Sequence, residues 1–207
     1  MSPERRTISV PYPDEGRRAQ LAERFSGRAR VKRHERFFTQ TGIGDDARIV
    51  DIGCGVLGLR ALEPHRDITG VDLVERPAYP GPFVRADVAA GLPFEDDEFD
   101  LAYCSSVIEH VPPKRREAFA AELRRVAKGW FVQTPAKSFP IEPHALLPAA
   151  HWLPPRARAR YWRLGAGGRP EEVELLTRRE LEALFGPPVR ERLGPLTKSW
   201  ISIRPAA

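Results

Sequence analysis

The stretch Val50-Asp51-Ile52-Gly53-Cys54-Gly55-Val56-Leu57-Gly58 decides the fold, because a short apolar strand runs here into a glycine-rich turn. The pattern predicts a buried strand that ends at Gly53 and a helix that begins near Leu57. Glycines let the backbone approach a ligand closely, and amides at a helix start donate hydrogen bonds. As a bare string, Gly53-x-Gly55-x-x-Gly58 also fits a dinucleotide-binding turn. Asp51 argues against that interpretation, since its carboxylate would repel a pyrophosphate but suits a cationic amino group.

Two further carboxylates are predicted to follow the next two strands. Asp72 ends the second strand about twenty residues beyond the glycine turn, which is typical of a side chain that accepts hydrogen bonds from ribose hydroxyls. Beside it, Leu73 is suited to contact an adenine ring. Asp87 follows the third strand, where it can accept from the exocyclic amine of adenine while the Val88 amide donates to the ring. Each aspartate taken singly is more often a turn or cap residue, but three at successive strand ends predict one pocket for an adenosyl ligand.

Strands and helices alternate along the rest of the chain, and this alternation predicts the α/β class. We expect a Rossmann-like, mostly parallel sheet of seven strands with helices on both faces, an N-terminal helical arm, and an inserted lid after the fifth strand. The arm is predicted as one helix or two over residues 15–41. The predicted strands cover residues 47–52, 67–72, 83–86, 98–104, 130–134, 189–193 and 199–203, and the other predicted helices cover residues 57–63, 114–127, 156–164 and 177–185.

Composition restricts the chain to a globular class. Its 207 residues, 42% hydrophobic and 29% charged, suit one domain with an appended arm. The net charge of +5 originates in residues 1–40, which hold ten Lys or Arg against five Asp or Glu, whereas the remainder holds 23 of each. We therefore predict a basic arm over residues 1–41 and a domain over residues 42–207, with the lid at residues 135–170. A solvated helix face explains the basic arm as well as an acidic partner does.

The sequence also bears on the compartment. No uncharged run approaches the roughly 20 residues that a membrane span needs, and the N-terminus shows no apolar segment typical of a signal peptide. Cys54 and Cys104 are too few for a disulfide framework or a zinc site with paired cysteines. We expect a cytoplasmic protein whose two thiols are reduced and buried.

The motifs DIGCGVLG (51–58), GVDL (70–73) and RADVAAGLPFEDDEFDLAYCSSVIEHV (85–111) resemble those of class I S-adenosylmethionine-dependent methyltransferases of the small bacterial type. The resemblance covers residues 48–135, and the two last predicted strands suit the antiparallel end of that family's sheet. It implies S-adenosylmethionine as the cofactor. One departure is that the family often has a third glycine two positions after Gly55, where this chain has Leu57, and the next glycine is Gly58. The turn into the following helix is therefore expected to differ in shape.

The resemblance also implies roles for individual residues. The turn after the first strand approaches the amino acid end of the cofactor, Asp72 holds the ribose beside Leu73, and Asp87 with Val88 holds the adenine. Ser105, after the fourth strand, lines the methyl-donor channel. The predicted cofactor-binding residues are Asp51, Gly53, Cys54, Gly55, Asp72, Leu73, Asp87, Val88 and Ser105.

The sequence gives fewer indications of the residues that bind the methyl acceptor. His110 follows the fourth strand and is either a base or a residue that fixes its loop. The segment after the fifth strand is too polar for core and too apolar for a linker, so we expect an acceptor wall there, with Glu142 and His144 joining His110 as candidate catalytic residues. Glu142, His144 and His151 have metal-ligating side chains, but an intervening proline and the lack of a fourth ligand argue against an ion, and no metal is expected.

Methyl transfer to a small-molecule acceptor is the function these observations favour. Blocks such as FPIEPH (139–144) resemble small methyltransferases of surface-glycan and natural-product pathways, which indicates a natural-product or carbohydrate-like acceptor. Two alternatives remain: an RNA methyltransferase that uses the basic arm, and a catalytically silent cofactor-binding protein. Nucleic acid is not the expected partner, because the chain lacks the Asn/Asp-Pro-Pro-aromatic motif of base-amine methylases and any recognisable RNA-binding module.

Overall fold

The computed structural model describes residues 31–165 and 173–206, and within these ranges the chain forms nine strands. Seven of them build one sheet in the order β3-β2-β1-β4-β5-β9-β8. β1 to β5 are parallel, and β9 and β8 complete the sheet as antiparallel strands. The strands are β1 (Ile49–Ile52), β2 (Ile68–Asp72), β3 (Phe83–Arg85), β4 (Phe99–Ser105), β5 (Ala127–Pro135), β6 (Ile141–Glu142), β7 (Leu147–Pro148), β8 (Val189–Leu193) and β9 (Leu196–Arg204).

Helices cover both faces of this sheet, as the sequence predicts. In β1, Ile49 points to one core cluster and Val50 and Ile52 to another, because successive side chains of a strand alternate between faces. The described helices are α1 (31–41), α2 (Arg116–Val126), α3 (Pro155–Trp162) and α4 (Arg178–Phe185). α1 packs on the Ile49 face, whereas α2 and α4 pack on the other.

The N-terminal helix contributes directly to the core. Phe37 of α1 is fully buried and meets Tyr103 and Phe131 edge-on, with ring centroids 5.0 and 5.6 Å away. Residues 31–41 therefore share a core with β4 and β5. The predicted arm boundary at residue 41 stays a prediction, and the part of the predicted arm before residue 31 lies outside the described residues.

The α4 helix begins as its sequence predicts. Thr177 accepts a hydrogen bond from the Glu180 amide, and the Glu180 carboxylate accepts one from the Thr177 amide. This reciprocal pair satisfies two amides that the helix itself leaves without partners. Within the described ranges, no helix is long and apolar enough to cross a bilayer.

The helix predicted over residues 57–63 is wrong. Residues 55–62 form successive turns instead, because Gly55 and Gly58 adopt positive φ angles of 62° and 55° that interrupt a right-handed helix. The β6–β7 hairpin is a second difference, since the sequence predicts only irregular structure there. Two strands are longer than predicted, β5 by three residues at its start and β9 by three at its start.

Strand order places the candidate site. The chain crosses from β3 on one side of β1 to β4 on the other, so connections on the two sides of β1 leave the sheet in opposite directions. In open α/β sheets a crevice forms at this point, outside the carboxyl ends of the strands. The segments after β1, β2, β4 and β5 all meet at that edge.

Candidate functional site

The turn after β1 is shaped by a close contact with the segment after β4. Gly53 has a φ of 68°, and a Cβ there would overlap the Val107 side chain. The amides of Gly53 and Cys54 both donate to the Val71 carbonyl, at 2.8 and 3.2 Å. The glycine turn is thus held between β2 and the segment after β4, which leads two residues later to Glu109.

Asp51 anchors the turn that replaces the predicted helix. Its side chain is buried, and Oδ2 accepts a 2.6 Å hydrogen bond from the Leu59 amide. A Cβ on Gly58 would lie 2.5 Å from that oxygen and 2.7 Å from the Tyr79 ring. Gly58 therefore takes the place of the family's third glycine for a packing reason as well as for its positive φ.

Asp72 occupies the position predicted for a ribose-binding carboxylate, and all of its acceptor sites have intrachain partners. Oδ2 accepts from the Gly55 amide at 3.0 Å and from Arg76 Nε at 3.1 Å. Oδ1 accepts from the Val74 amide at 2.9 Å and from Arg76 Nη2 at 3.3 Å. A carboxylate offers about four such sites, so a ribose at Asp72 has to displace the Arg76 guanidinium.

The predicted adenine-binding residues lie at the ends of β2 and β3. Leu73 is 65% exposed at the end of β2. Asp87 caps a short 3₁₀ turn, where Oδ1 accepts from the Ala89 amide at 3.1 Å, and Oδ2 pairs with Arg115 at 2.8 Å. Val88 is buried in the core under that turn.

The two cysteines are buried thiols, as expected. Burial, reinforced by the charges of Asp51 and Asp72, raises the pKa of the Cys54 thiol far above its usual value. Burial likewise raises the pKa of Cys104. Both therefore remain protonated and unreactive at neutral pH, Cys54 within the glycine turn and Cys104 inside the sheet.

Ser105 lies at the end of β4 and donates its hydroxyl proton to Gln133 Oε1 on β5, at 2.8 Å. Ser106, which has a positive φ of 58°, reaches the same oxygen at 3.3 Å. Because Gln133 is buried, this pair of bonds fixes the ends of β4 and β5 relative to one another.

Glu109, His110 and His144 meet just beyond Ser105, and one candidate ligand atom from each lies within 4.8 Å of the others. The His110 and His144 rings pack edge to face with their centroids 4.9 Å apart. His144 Nε2 lies 3.8 Å from Glu109 Oε1. We call these three residues the Glu-His-His cluster. Glu109 is its buried member, His144 is half-buried, and His110 is exposed.

Glu142 fixes the orientation of His144. Its Oε1 lies 2.7 Å from His144 Nδ1, and Oε2 accepts from the amides of His144 at 2.9 Å and Ala145 at 2.5 Å. Glu142 is fully buried on the β6–β7 hairpin and turns both oxygens inward. Of the predicted catalytic residues, it is therefore a positioning residue rather than one that reaches a substrate.

Neighbouring charges and burial shift the pKa values of His144 and Glu109 in opposite directions. Burial disfavours the protonated imidazole of His144, but the hydrogen bond to Glu142 and the charges of Glu142 and Glu109 outweigh it and raise the pKa of His144. Burial also raises the pKa of Glu109, against the effect of the neighbouring His144. The two shifts therefore differ in cause, since the neighbouring carboxylates raise the pKa of His144 whereas burial raises the pKa of Glu109.

The turn that carries Glu109 is fixed from two sides. Thr134 at the end of β5 donates its hydroxyl proton to Glu109 Oε2 at 2.9 Å. The Glu109 carbonyl accepts from the Glu174 amide at 2.8 Å, and the Lys137 amide donates to the Leu176 carbonyl at 3.2 Å. The segment before α4 thereby packs against the site.

His151 belongs to a different part of the connection after β5. Its Nε2 lies 3.0 Å from the Lys137 carbonyl oxygen, to which Trp152 Nε1 also donates at 2.8 Å. Within the described residues, the potential metal-ligating group around His144 contains Glu109 and His110 and does not include His151. Residues 166–170 of the predicted lid lie outside the described residues.

Part of the chain matches a known protein family. Residues 50–132 match the family model described as a methyltransferase domain. A search of curated protein sequences gives no match. The matched residues lie within residues 48–135, the range over which the motifs resemble class I methyltransferases.

Solved structures share the fold at low sequence identity. The PH0226 protein of Pyrococcus horikoshii is 18% identical with a TM-score of 0.60, and the match covers 87% of this chain and 91% of that one. Magnesium protoporphyrin IX methyltransferase of Synechocystis, with bound S-adenosylmethionine, is 14% identical with a TM-score of 0.58 and coverage of 93% and 86%. A 1,6-didemethyltoxoflavin N1-methyltransferase of Burkholderia thailandensis is 16% identical with a TM-score of 0.55 and coverage of 94% and 92%. This chain thus shares the class I fold of these methyltransferases.

Sequence reasoning did not find several residues that shape this site. Arg76 acts in the turn after β2, and Thr134 and Glu109 act on the other side. Glu109 was detectable, because it directly precedes His110, but its burial and its contact with Thr134 are not visible in the sequence.

Proposed function

We propose that this protein transfers a methyl group from S-adenosylmethionine to a small natural-product or carbohydrate-like molecule. The observation that carries the proposal is the convergence of Asp51, Asp72 and Asp87 at adjacent strand ends around a glycine turn, within a methyltransferase domain. S-adenosylmethionine supplies a methyl group on a sulfonium, which a nucleophile displaces in line. The protein's main task is then to hold donor and acceptor in a reactive geometry.

The carboxylates divide the recognition of the cofactor. The glycine turn faces its amino acid end, Asp72 accepts hydrogen bonds from the ribose hydroxyls once Arg76 moves away, and exposed Leu73 covers one face of the adenine. Asp87 and Val88 border the adenine from the end of β3. Leu73 is 65% exposed and is therefore accessible to such a ligand.

The acceptor is proposed to bind on the other side of the glycine turn. Val107 contacts Gly53 and is followed two residues later by Glu109, so the Glu-His-His cluster lies next to the turn that holds the methyl donor. His110 is exposed and gives the acceptor access to the cluster. We propose that the cluster activates the acceptor group and that residues after β5 form the wall around it.

Two observations support a small acceptor. The cluster is formed by short segments close to the sheet edge, and two fold neighbours are named as methyltransferases of 1,6-didemethyltoxoflavin and of magnesium protoporphyrin IX. A cytoplasmic location stays a prediction of the sequence.

Calorimetry with the native chain tests the cofactor assignment. We expect S-adenosylmethionine and its demethylated product to bind, and Asp72→Ala to weaken binding about 10- to 100-fold, because hydrogen bonds to a charged group contribute about 1.5–3 kcal/mol. Asp45→Ala, which removes a carboxylate that is exposed in a surface turn, is the matched control and should bind like the native chain. Folded native protein that binds neither ligand would refute the proposal.

A metabolite screen with a labelled methyl donor tests the reaction itself. Incorporation of label into a small molecule supports the proposed function. Label in RNA would favour the nucleic-acid alternative. Tight cofactor binding without transfer to any fraction would favour a catalytically silent protein.

A further inference from the structure

His144 and Glu109 face each other inside the Glu-His-His cluster. Glu142 Oε1 lies 2.7 Å from His144 Nδ1 and orients the ring so that Nε2 lies 3.8 Å from Glu109 Oε1. Among the described residues, that buried carboxylate oxygen has no hydrogen-bond partner. A buried carboxylate oxygen is unfavourable unless a proton donor or a positive charge satisfies it.

The distance fits an ion better than a direct contact. A hydrogen bond between nitrogen and oxygen spans 2.7–3.2 Å, so 3.8 Å is too long for a shared proton. Metal–nitrogen and metal–oxygen bonds of about 2.0–2.2 Å allow two ligands of one ion to lie as much as about 4.2 Å apart. The candidate ligand atom of the exposed His110 lies within 4.8 Å of both atoms, so a small movement of this side chain would make it a third ligand.

The surroundings also have the form of a metal site. Ligating histidines usually donate their other ring N–H to a carboxylate, which Glu142 provides for His144. Ligating carboxylates usually accept a hydrogen bond as well, and Thr134 donates one to the second oxygen of Glu109. Neither partner faces solvent, since Glu142 and Thr134 are both fully buried.

We propose that Glu109, His110 and His144 bind one divalent transition-metal ion beside the methyl-donor turn, with open coordination positions on the exposed side. Two imidazoles and one carboxylate suit Zn²⁺, Fe²⁺ or Co²⁺ rather than Ca²⁺ or Mg²⁺, which prefer all-oxygen sites. This assignment replaces the expectation of no metal. The sequence analysis considered Glu142, His144 and His151 and argued against an ion, whereas the site proposed here consists of Glu109, His110 and His144.

Methyl transfer, the proposed function, gives such an ion a chemical role, and that role rests on the proposed function. An acceptor hydroxyl that coordinates the ion releases its proton to solvent water more readily, because the metal stabilises the alkoxide or phenolate. The oxygen then forms a bond to the methyl carbon while the carbon–sulfur bond breaks and its electron pair stays on sulfur. The acceptor is thereby narrowed to molecules with a hydroxyl that can reach a metal.

Metal binding can be tested without cofactor or acceptor. The full chain, first stripped with a chelator, is titrated with Co²⁺ while the visible d–d absorption is recorded, and Zn²⁺ is then added as a competitor. We expect one equivalent of Co²⁺ to bind, with intense visible bands of a low-coordinate nitrogen and oxygen site, and Zn²⁺ to displace it. His110→Ala and His144→Ala should each lose this spectrum.

Two further variants distinguish the proposed metal ligands from the residue that orients one of them and from an unrelated histidine. Glu142→Gln should still bind Co²⁺, but about 10- to 100-fold more weakly, as is typical when a carboxylate partner of a ligating histidine is removed. His65→Ala, an exposed histidine in the turn before β2, is the matched control and should titrate like the native chain. Because His110 is exposed, its variant is expected to fold, which circular dichroism checks.

The outcomes are distinct. Native protein that binds no Co²⁺ or Zn²⁺, or His110→Ala and His144→Ala that bind both as well as the native chain does, would overturn the metal site. The metal site is supported if His110→Ala and His144→Ala lose the Co²⁺ spectrum while His65→Ala keeps it. The cofactor assignment is measured separately by calorimetry on Asp72→Ala, so failure of one does not imply failure of the other.

Discussion

The two sides of the sheet edge differ in whether their carboxylate oxygens have hydrogen-bond or ion-pair partners within the chain. On the β1–β3 side, Asp72 and Asp87 have intrachain partners on both oxygens, and Asp51 accepts the Leu59 amide. On the β4–β5 side, Glu109 keeps one buried oxygen without a hydrogen bond among the described residues. A ligand on the proposed donor side therefore has to exchange existing contacts, whereas a ligand or ion on the proposed acceptor side can satisfy the Glu109 oxygen that has no hydrogen bond.

The physical consequence is a difference in mutational sensitivity. Removing a group from the proposed donor side should change stability and cofactor affinity, because its partners are structural. Removing a group from the proposed acceptor side should change turnover more than stability or cofactor affinity, because the proposed acceptor contacts the Glu-His-His cluster directly. Three experiments test this contrast.

The largest expected effect is on turnover. His144→Ala should lower the methyl-transfer rate about 10²- to 10⁴-fold, the range for loss of a group that activates the reacting atom. Affinity for S-adenosylmethionine should stay within about twofold, because His144 lies on the hairpin after β5. Single-turnover transfer of labelled methyl and calorimetry on the same preparation measure the two quantities.

His65→Ala is the control for this pair of measurements, since that histidine is exposed in the turn before β2. Weakened cofactor binding in His144→Ala would remove the contrast between the two sides. A native rate would show that His144 only supports the hairpin.

The second effect is on stability. Gly58→Ala should lower the free energy of unfolding by about 2–4 kcal/mol, since a left-handed residue with a side chain is strained and the added Cβ overlaps its neighbours. That Cβ would lie 2.5 Å from Asp51 Oδ2 and 2.7 Å from Tyr79. Urea denaturation followed by circular dichroism measures the change.

The matched variant is Gly44→Ala, which meets nothing within 4 Å and should change the unfolding free energy by less than about 0.5 kcal/mol. Equal stability of the two variants would mean that the turn after β1 rearranges freely and does not depend on Gly58.

The smallest effect is on cofactor affinity. Arg76→Ala should tighten the binding of S-adenosylmethionine by as much as about fivefold, because the ribose no longer competes with a surface ion pair that contributes about 0.2–1 kcal/mol. Arg178→Ala removes the arginine of another i, i+4 ion pair, with Glu182, and should leave the affinity unchanged. Weaker binding in Arg76→Ala would show that the guanidinium instead holds Asp72 in its ligand-binding position.

Periodicity and local spacing were sufficient for the larger part of the fold. The alternation of Ile49, Val50 and Ile52 and the Thr177–Glu180 cap depend on neighbours in sequence, so they predict the strand and the helix start correctly. The same reasoning failed at residues 57–63, where apolar spacing suggested a helix. There the positive φ of Gly58 and the buried Asp51 carboxylate, which accepts from Leu59, favour a turn.

The sequence by itself determined the class, because the glycine turn, Asp72 and Asp87 recur at spacings that a parallel sheet brings to one edge. Only the tertiary structure decided what each carboxylate contacts. Arg76 reaches Asp72 through a local turn, but Thr134 reaches Glu109 from another strand and His144 reaches it from a hairpin, 35 residues further along the chain. Contacts between residues so far apart follow from the packing of β4, β5 and the connection after β5, and no local pattern encodes them.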